Sequence, residues 1–354
     1  MLYIIIAILV FGLLIAVHEF GHFITAKLLG VRVNEFAIGM GPALYKKQKG
    51  ETLYALRVLP IGGYCALEGE DEDTDDPRSF QNKAAWRKVM ILVAGSVMNF
   101  LAGVVILLLL SIPATGYQLP AVAGFLEGYG IEDCGLQPGD RFLEVDGHGV
   151  WTYSDAKYFL DRAGDTVDLV VERDGEKVTL NDVHIPFQTK ETEEGTTRLR
   201  GLQMGAIVLP ATIGNRLTMT TLEAADMVRM VWFSLGDLVR GAVGLRDLSG
   251  PIGIVDAVEE VGTSTAESYG VAAALQSVFY LMAFIAINLA VMNLLPIPAL
   301  DGGRIFFLFL GGVYRLFTRR KLDPKYENAV NMVCFFCLLG LMAVVAVSDV
   351  TKLF

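Results

Sequence analysis

The stretch IAVHEFGHFITA, Ile15 to Ala26, sets two histidines and a glutamate inside a run that otherwise reads as a membrane-spanning helix. Ionisable groups at the bilayer centre cost roughly 2.5 to 3.5 kcal/mol each on insertion scales, so the cluster needs a compensating partner. On a helix, His18 and His22 share a face and Glu19 lies beside the first. This is the H-E-x-x-H arrangement, in which two neutral imidazoles bind zinc while the glutamate handles the proton of an activated water. Interhelical hydrogen bonding alone is the weaker reading, because a span offers no water to solvate idle polar groups.

Composition agrees with a membrane location. Of the 354 residues, 53% are hydrophobic and 19% charged, and the mean hydropathy is +0.48. A formal charge of −10 argues against a nucleic-acid partner, which a basic face would normally meet. Cys65, Cys134, Cys334 and Cys337 are too scattered for a disulfide framework, and the apolar surroundings of the last two read as inert buried thiols. The N-terminal apolar run has no positive residue before Lys27 and no small-x-small cleavage site, and is expected to be a retained helix.

Four segments are long and apolar enough to cross a bilayer: Leu2 to Ala26, Val89 to Ile112, Val271 to Leu295 and Asn328 to Ser348. Lysines and arginines gather between the first and second and between the third and fourth, which assigns both loops to the cytoplasm. Both termini and the segment from about Pro113 to Gly270 are then extracytoplasmic, with the histidine cluster near the cytoplasmic face. In the first loop, alternating residues around Lys49-Gly50-Glu51 predict a hairpin pressed against or dipping into the membrane. The acidic run Glu68 to Asp76 lacks the spacing of a calcium loop and reads as a solvated linker.

The outer segment opens with GLQPGDRFLEVDGHGV, a Pro-Gly-Asp turn, a strand and an Asp-Gly turn, then a helical stretch and a second strand pair around Asp174-Gly175. It resembles a PDZ domain of mixed α+β type. EAADMVRMVWFSLGDLVRGAVGL, beyond it, carries Asp226, Arg229, Asp237 and Arg240 at helical spacing and predicts an amphipathic surface helix rather than a fifth span. The expected divisions are 1–112, the N-terminal membrane part; 113–190, the PDZ-like domain; 191–270, a linker with the amphipathic helix and the GPIG segment; and 271–354, the C-terminal membrane part.

Zinc normally takes three protein ligands and keeps one open position. The remaining histidines, His148 and His184, lie in the outer segment, so a carboxylate from another span is expected as the third ligand. NLAVMNLLPIPALDGGRIF supplies Asp301 after two helix-breaking prolines, with Gly302 and Gly303 allowing close backbone approach. The alternative is that Asp301 caps a helix starting near Arg304.

Together HEFGH, GMGP, RVLPIGGY, GEDEDTDDPRSF, GLQPGD, SGPIGI and NLLPIPALDGG resemble an RseP-type site-2 protease, an intramembrane zinc metalloprotease of the bacterial cell membrane. The pairing of H-E-x-x-H with a later N-x-x-P-x-x-x-x-D-G is the most specific part of the match. The resemblance implies zinc on His18, His22 and Asp301, Glu19 as the catalytic base and Asn293 as a holder of substrate backbone. For Asn293, as for Asn99 and Asn288, a helix–helix hydrogen bond is the structural alternative. It further implies single-span membrane proteins or peptides as substrates, such as anti-sigma factors or signal-peptide remnants, with a site-1 protease acting upstream. One outer domain is expected where well-known members carry two. No G-x-G-aromatic loop precedes its strands, which favours a steric filter over capture of peptide C-termini.

Overall fold

The computed structural model describes residues 2–70, 74–192, 195–242, 244, 250–319 and 324–352. From the N-terminus, α1 (Leu2–Leu28) leads into β1 (Val33–Lys49) and β2 (Thr52–Leu67), and then α2 (Ala85–Ser111). Short strands follow: β3 (Gly116–Gln118), β4 (Val122–Phe125), β5 (Arg141–Val145) and β6 (His148–Gly149). After α3 (Tyr153–Arg162) come β7 (Thr166–Arg173), β8 (Glu176–His184), β9 (Gln188–Thr192), β10 (Gly195–Leu199), β11 (Leu202–Met204) and β12 (Val208–Pro210). Among the described residues, five helices follow: α4 (Ile213–Arg240), α5 (Pro251–Tyr269), α6 (Val271–Asn293), α7 (Asp301–Thr318) and α8 (Pro324–Lys352). Two compact units result, Met1–Leu107 with Met227–Phe354, and Leu108–Asp226.

In the first unit, α1, α2, α6 and the stretch Ala329–Asp349 of α8 are long and apolar enough to span a bilayer. Tyr3, Ala7 and Leu14 of α1 bury themselves against Val258 of α5 and Ala274, Val278 and Met282 of α6. On the opposite side Leu2, Ile5, Leu9 and Leu13 stay exposed, a surface that lipid rather than water accommodates. The 191–270 segment, expected as a linker with one amphipathic helix, also contains α5. It starts with Pro251 at its first turn, and the Asp349 carboxylate of α8 accepts hydrogen bonds from the Gly250 and Gly253 amides at 2.9 and 3.0 Å.

The hairpin forms around Gly50, as its alternation predicts, but it doubles back on itself. Phe36 lies opposite both Tyr54 and Cys65, and Ala37 opposite both Ala55 and Tyr64. The first half of β1 is therefore flanked on each side by a different half of β2, while residues 43–49 pair with 52–57 alone. A side chain at Gly12 would overlap the Pro60 carbonyl oxygen, so β2 runs along α1 as far as that residue. Sixteen residues of helix separate Gly12 from Leu28, about 24 Å at 1.5 Å per residue. Ile38, Met40, Leu44, Leu56, Val58 and Leu59 face outward along the hairpin.

The second unit is built on a four-stranded sheet of order β6-β5-β7-β8. Both Asp-Gly turns have positive φ at each residue (Asp146 47°, Gly147 74°; Asp174 52°, Gly175 83°), which is the twist a tight hairpin needs. Thr152 caps α3 by accepting from the Asp155 amide at 3.1 Å. Asp140, of the Pro-Gly-Asp turn, is buried and held by two 2.7 Å hydrogen bonds from Arg173. β11 pairs with β4 and β12 with β3, so chain beyond residue 190 returns to this unit.

Candidate metal centre

The two helix-borne histidines meet the carboxylate of α7. Nε2 of His18 and Nε2 of His22 each lie 3.3 Å from Oδ2 of Asp301 and 3.2 Å from one another. The two contacts to Asp301 admit hydrogen bonds by distance but not by direction, and Oδ2 is a buried acceptor without a donor. Zinc bonds of about 2.0 to 2.1 Å in a tetrahedron give ligand-to-ligand edges of about 3.3 Å, so the three atoms are spaced as its ligands would be. Two imidazole nitrogens and a carboxylate oxygen are turned on one another as a group that could hold a shared cation. The set fits zinc, whose borderline-soft character suits imidazole with one oxygen.

Each of the three side chains is aimed by its own surroundings. Nδ1 of His22 lies 2.8 Å from the Ile91 carbonyl oxygen of α2. A carbonyl only accepts, so Nδ1 carries the proton and Nε2 presents its lone pair to the centre. Beside both rings runs Gly95 of α2. A methyl there would overlap Nε2 of His22 and come 2.7 and 2.8 Å from Cε1 and Nδ1 of His18. Asp301 is the first residue of α7, whose N-cap is Leu300 with no side-chain capping bond. Its carboxylate is thus turned to the histidines and does not cap the helix. Gly302 and Gly303 have a use other than approach to a metal: side chains there would collide with the backbone of residues 294–298, the turn that brings Asp301 back after Pro296 and Pro298.

The centre opens into a cavity of about 710 Å³, lined also by Glu19, Asn293 and Tyr64. Cys65 and Leu67 of β2 edge it as well, and burial pushes the Cys65 thiol above its usual range, so it is protonated there. Arg304, one turn beyond Asp301, pairs with Glu70, and Asn34 donates to Glu68 at 2.8 Å. The start of the acidic run is therefore tied down beside the cavity, while 71–73 lie outside the described residues. The Glu70 pair and Gly95 had escaped sequence reasoning. Gly-x-x-x-Asn in α2 was the available signal for the latter, since small residues mark close helix crossings.

A model of peptidase family M50 matches residues 6–341. The chain belongs to peptidase family M50. This M50 peptidase is 37% identical over 350 residues to a Clostridium acetobutylicum protein provisionally named a zinc metalloprotease, covering 98% of this chain and 97% of that one. A similarly named Clostridium perfringens protein is 34% identical over 351 residues, 99% and 98% of the two chains. Zinc metalloprotease RasP of Shouchella clausii is 28% identical over 433 aligned positions, 98% of each chain. The M50 peptidase is a zinc-dependent metalloendopeptidase of the site-2 class and RseP type, and a membrane protein.

Proposed function

We propose that this M50 peptidase hydrolyses peptide bonds within the membrane-spanning segments of its substrates, with His18, His22 and Asp301 holding zinc and Glu19 as general base. The observation that carries this reading is the convergence of the two Nε2 atoms, borne on a helix long and apolar enough to cross a bilayer, on the orphaned Asp301 oxygen. Bound there, zinc supplies Lewis acidity that lets water ionise near neutral pH. Glu19, one residue from His18 and lining the same cavity, takes the water proton and returns it to the leaving amine. Asn293, at the C-terminal end of α6 and also lining the cavity, holds the substrate backbone.

A substrate helix must unwind before its carbonyl can be attacked, because its backbone groups are already bonded to one another. The extended segment then adds to a sheet edge. Two edges are available. The 43–49 edge carries exposed Lys46, Lys47 and Lys49, the kind of charge that blunts strand addition. The 63–67 edge has no charge and borders the cavity, so it is the one assigned to substrate. The outer PDZ-like unit admits substrates already shortened by a site-1 cut and excludes large outer domains. Both termini and this unit are extracytoplasmic in the same reading, which the lysines and arginines gathered in the two loops support.

The test is Glu19→Gln in the full chain. It should retain zinc and the wild-type melting profile while cleavage of a single-span substrate falls at least about a hundredfold. Cleavage at the wild-type rate would refute Glu19 as the base.

A further inference from the structure

The tautomer of His18 requires a partner that the metal ligands do not supply. Its Nε2 faces Asp301 and His22, so ligation through that atom requires the proton on Nδ1 and an acceptor beside it. Among the described residues, the one hydrogen-bonding contact of Nδ1 is the Asn99 carboxamide of α2, at 3.5 Å. Asn99 is 1% exposed, and its amide nitrogen is the atom drawn toward the ring while Oδ1 is buried without a partner. In that orientation Nδ1 would have to accept, the proton would sit on Nε2, and His18 could not ligate. The two ends of a carboxamide are interchangeable by a half-turn, and the hydrogen-bond network decides which way it points.

We infer that Asn99 is a positioning residue for the metal centre: its Oδ1 accepts the Nδ1 proton of His18, which turns the Nε2 lone pair toward zinc. The half-turn removes two faults at once, giving Oδ1 a donor and freeing Nε2. The Ile91 carbonyl does the same for His22, so α2 orients both imidazoles, once through its backbone and once through a side chain. Gly95, one turn earlier on the same helix, keeps the space in which the two rings lie. The inference rests on the zinc-ligand reading of His18.

The experiment measures zinc affinity of the purified full-length protein by competition with a chromophoric chelator, beside the melting profile of the metal-free form. Asn99→Leu, close in size but without an acceptor, should bind zinc roughly 10- to 100-fold more weakly. Asn99→Asp, which can only accept, should stay within a few-fold of wild type. Asn99→Asp is informative by itself should Asn99→Leu fail to assemble: if the amide nitrogen were the working end, the aspartate would weaken binding. A structural role alone would make the two variants alike, so equal losses, or none in Asn99→Leu, overturn the inference. His18→Ala separates the two readings. Wild-type affinity in His18→Ala overturns the ligand assignment and this inference together, whereas affinity lost there but kept in Asn99→Leu overturns this inference alone.

Discussion

At the scale of single residues, the candidate centre depends on what surrounds its three side chains as much as on those side chains. The grouping of His18, His22 and Asp301 was legible from four residues along one helix and a carboxylate after two prolines. The parts played by Gly95 and Asn99 were not: Gly-x-x-x-Asn marks a close helix crossing, but which residues face the histidines depends on how α2 is rotated against α1. Glu51, at the hairpin tip, gives a residue-level prediction of another kind. Lys27 at 2.7 Å and Arg78 at 2.5 Å hold its carboxylate below the usual value near 4.5. A pKa lowered in the folded state adds stability above the unfolded value, and that stability is lost as pH falls through the folded one. Amide protection of the tip, corrected for intrinsic exchange, should therefore drop as pH goes from about 5 to about 3. Glu51→Gln should flatten that dependence; an identical profile in the variant would contradict the account.

At the scale of elements, the four spans follow from length and hydropathy, and the two Asp-Gly turns from the left-handed backbone those residues tolerate. α5 was missed because Asp256, Glu259, Glu260 and Glu267 break its apolar pattern, although Gly250-Pro251 marks a helix start. The doubled hairpin could not be read from alternation either. Period-two patterning identifies strands but not that one strand will lie between two halves of its partner, a register fixed by packing along α1. That register decides where a substrate test belongs. Residues 53–56 are paired on both sides, so proline there would break the sheet itself. At one of the alternating edge positions 65 and 66, proline removes an outward amide instead of one bonded to β1. That variant should cleave a membrane-embedded substrate roughly tenfold more slowly, the equivalent of about one lost hydrogen bond, with zinc content unchanged. Wild-type cleavage by both variants would contradict strand addition at this edge.

At the scale of the whole molecule, one unit carries the candidate metal centre and the other stands in the chain between the segments that build it. β3 and β12 pair Gly116 with Pro210, so the outer unit leaves and re-enters the chain at neighbouring points. Replacing residues 117–209 with a short Gly/Ser linker excises it without cutting through the β4–β11 pair. If the unit is a size filter, the excised enzyme should cleave full-length and pre-shortened substrates at comparable rates. Unchanged preference for the shortened form would contradict a filter. Beneath this lies the claim that one zinc ion joins α1 to the start of α7. X-ray absorption on the purified active enzyme measures it most directly, combined with zinc stoichiometry of His18→Ala, His22→Ala and Asp301→Ala. The account predicts one zinc per chain with two imidazole nitrogens and at least one oxygen at about 2.0 to 2.2 Å, and loss of that zinc in each variant. An active enzyme without zinc, or a zinc signal unaffected by Asp301→Ala, would contradict it.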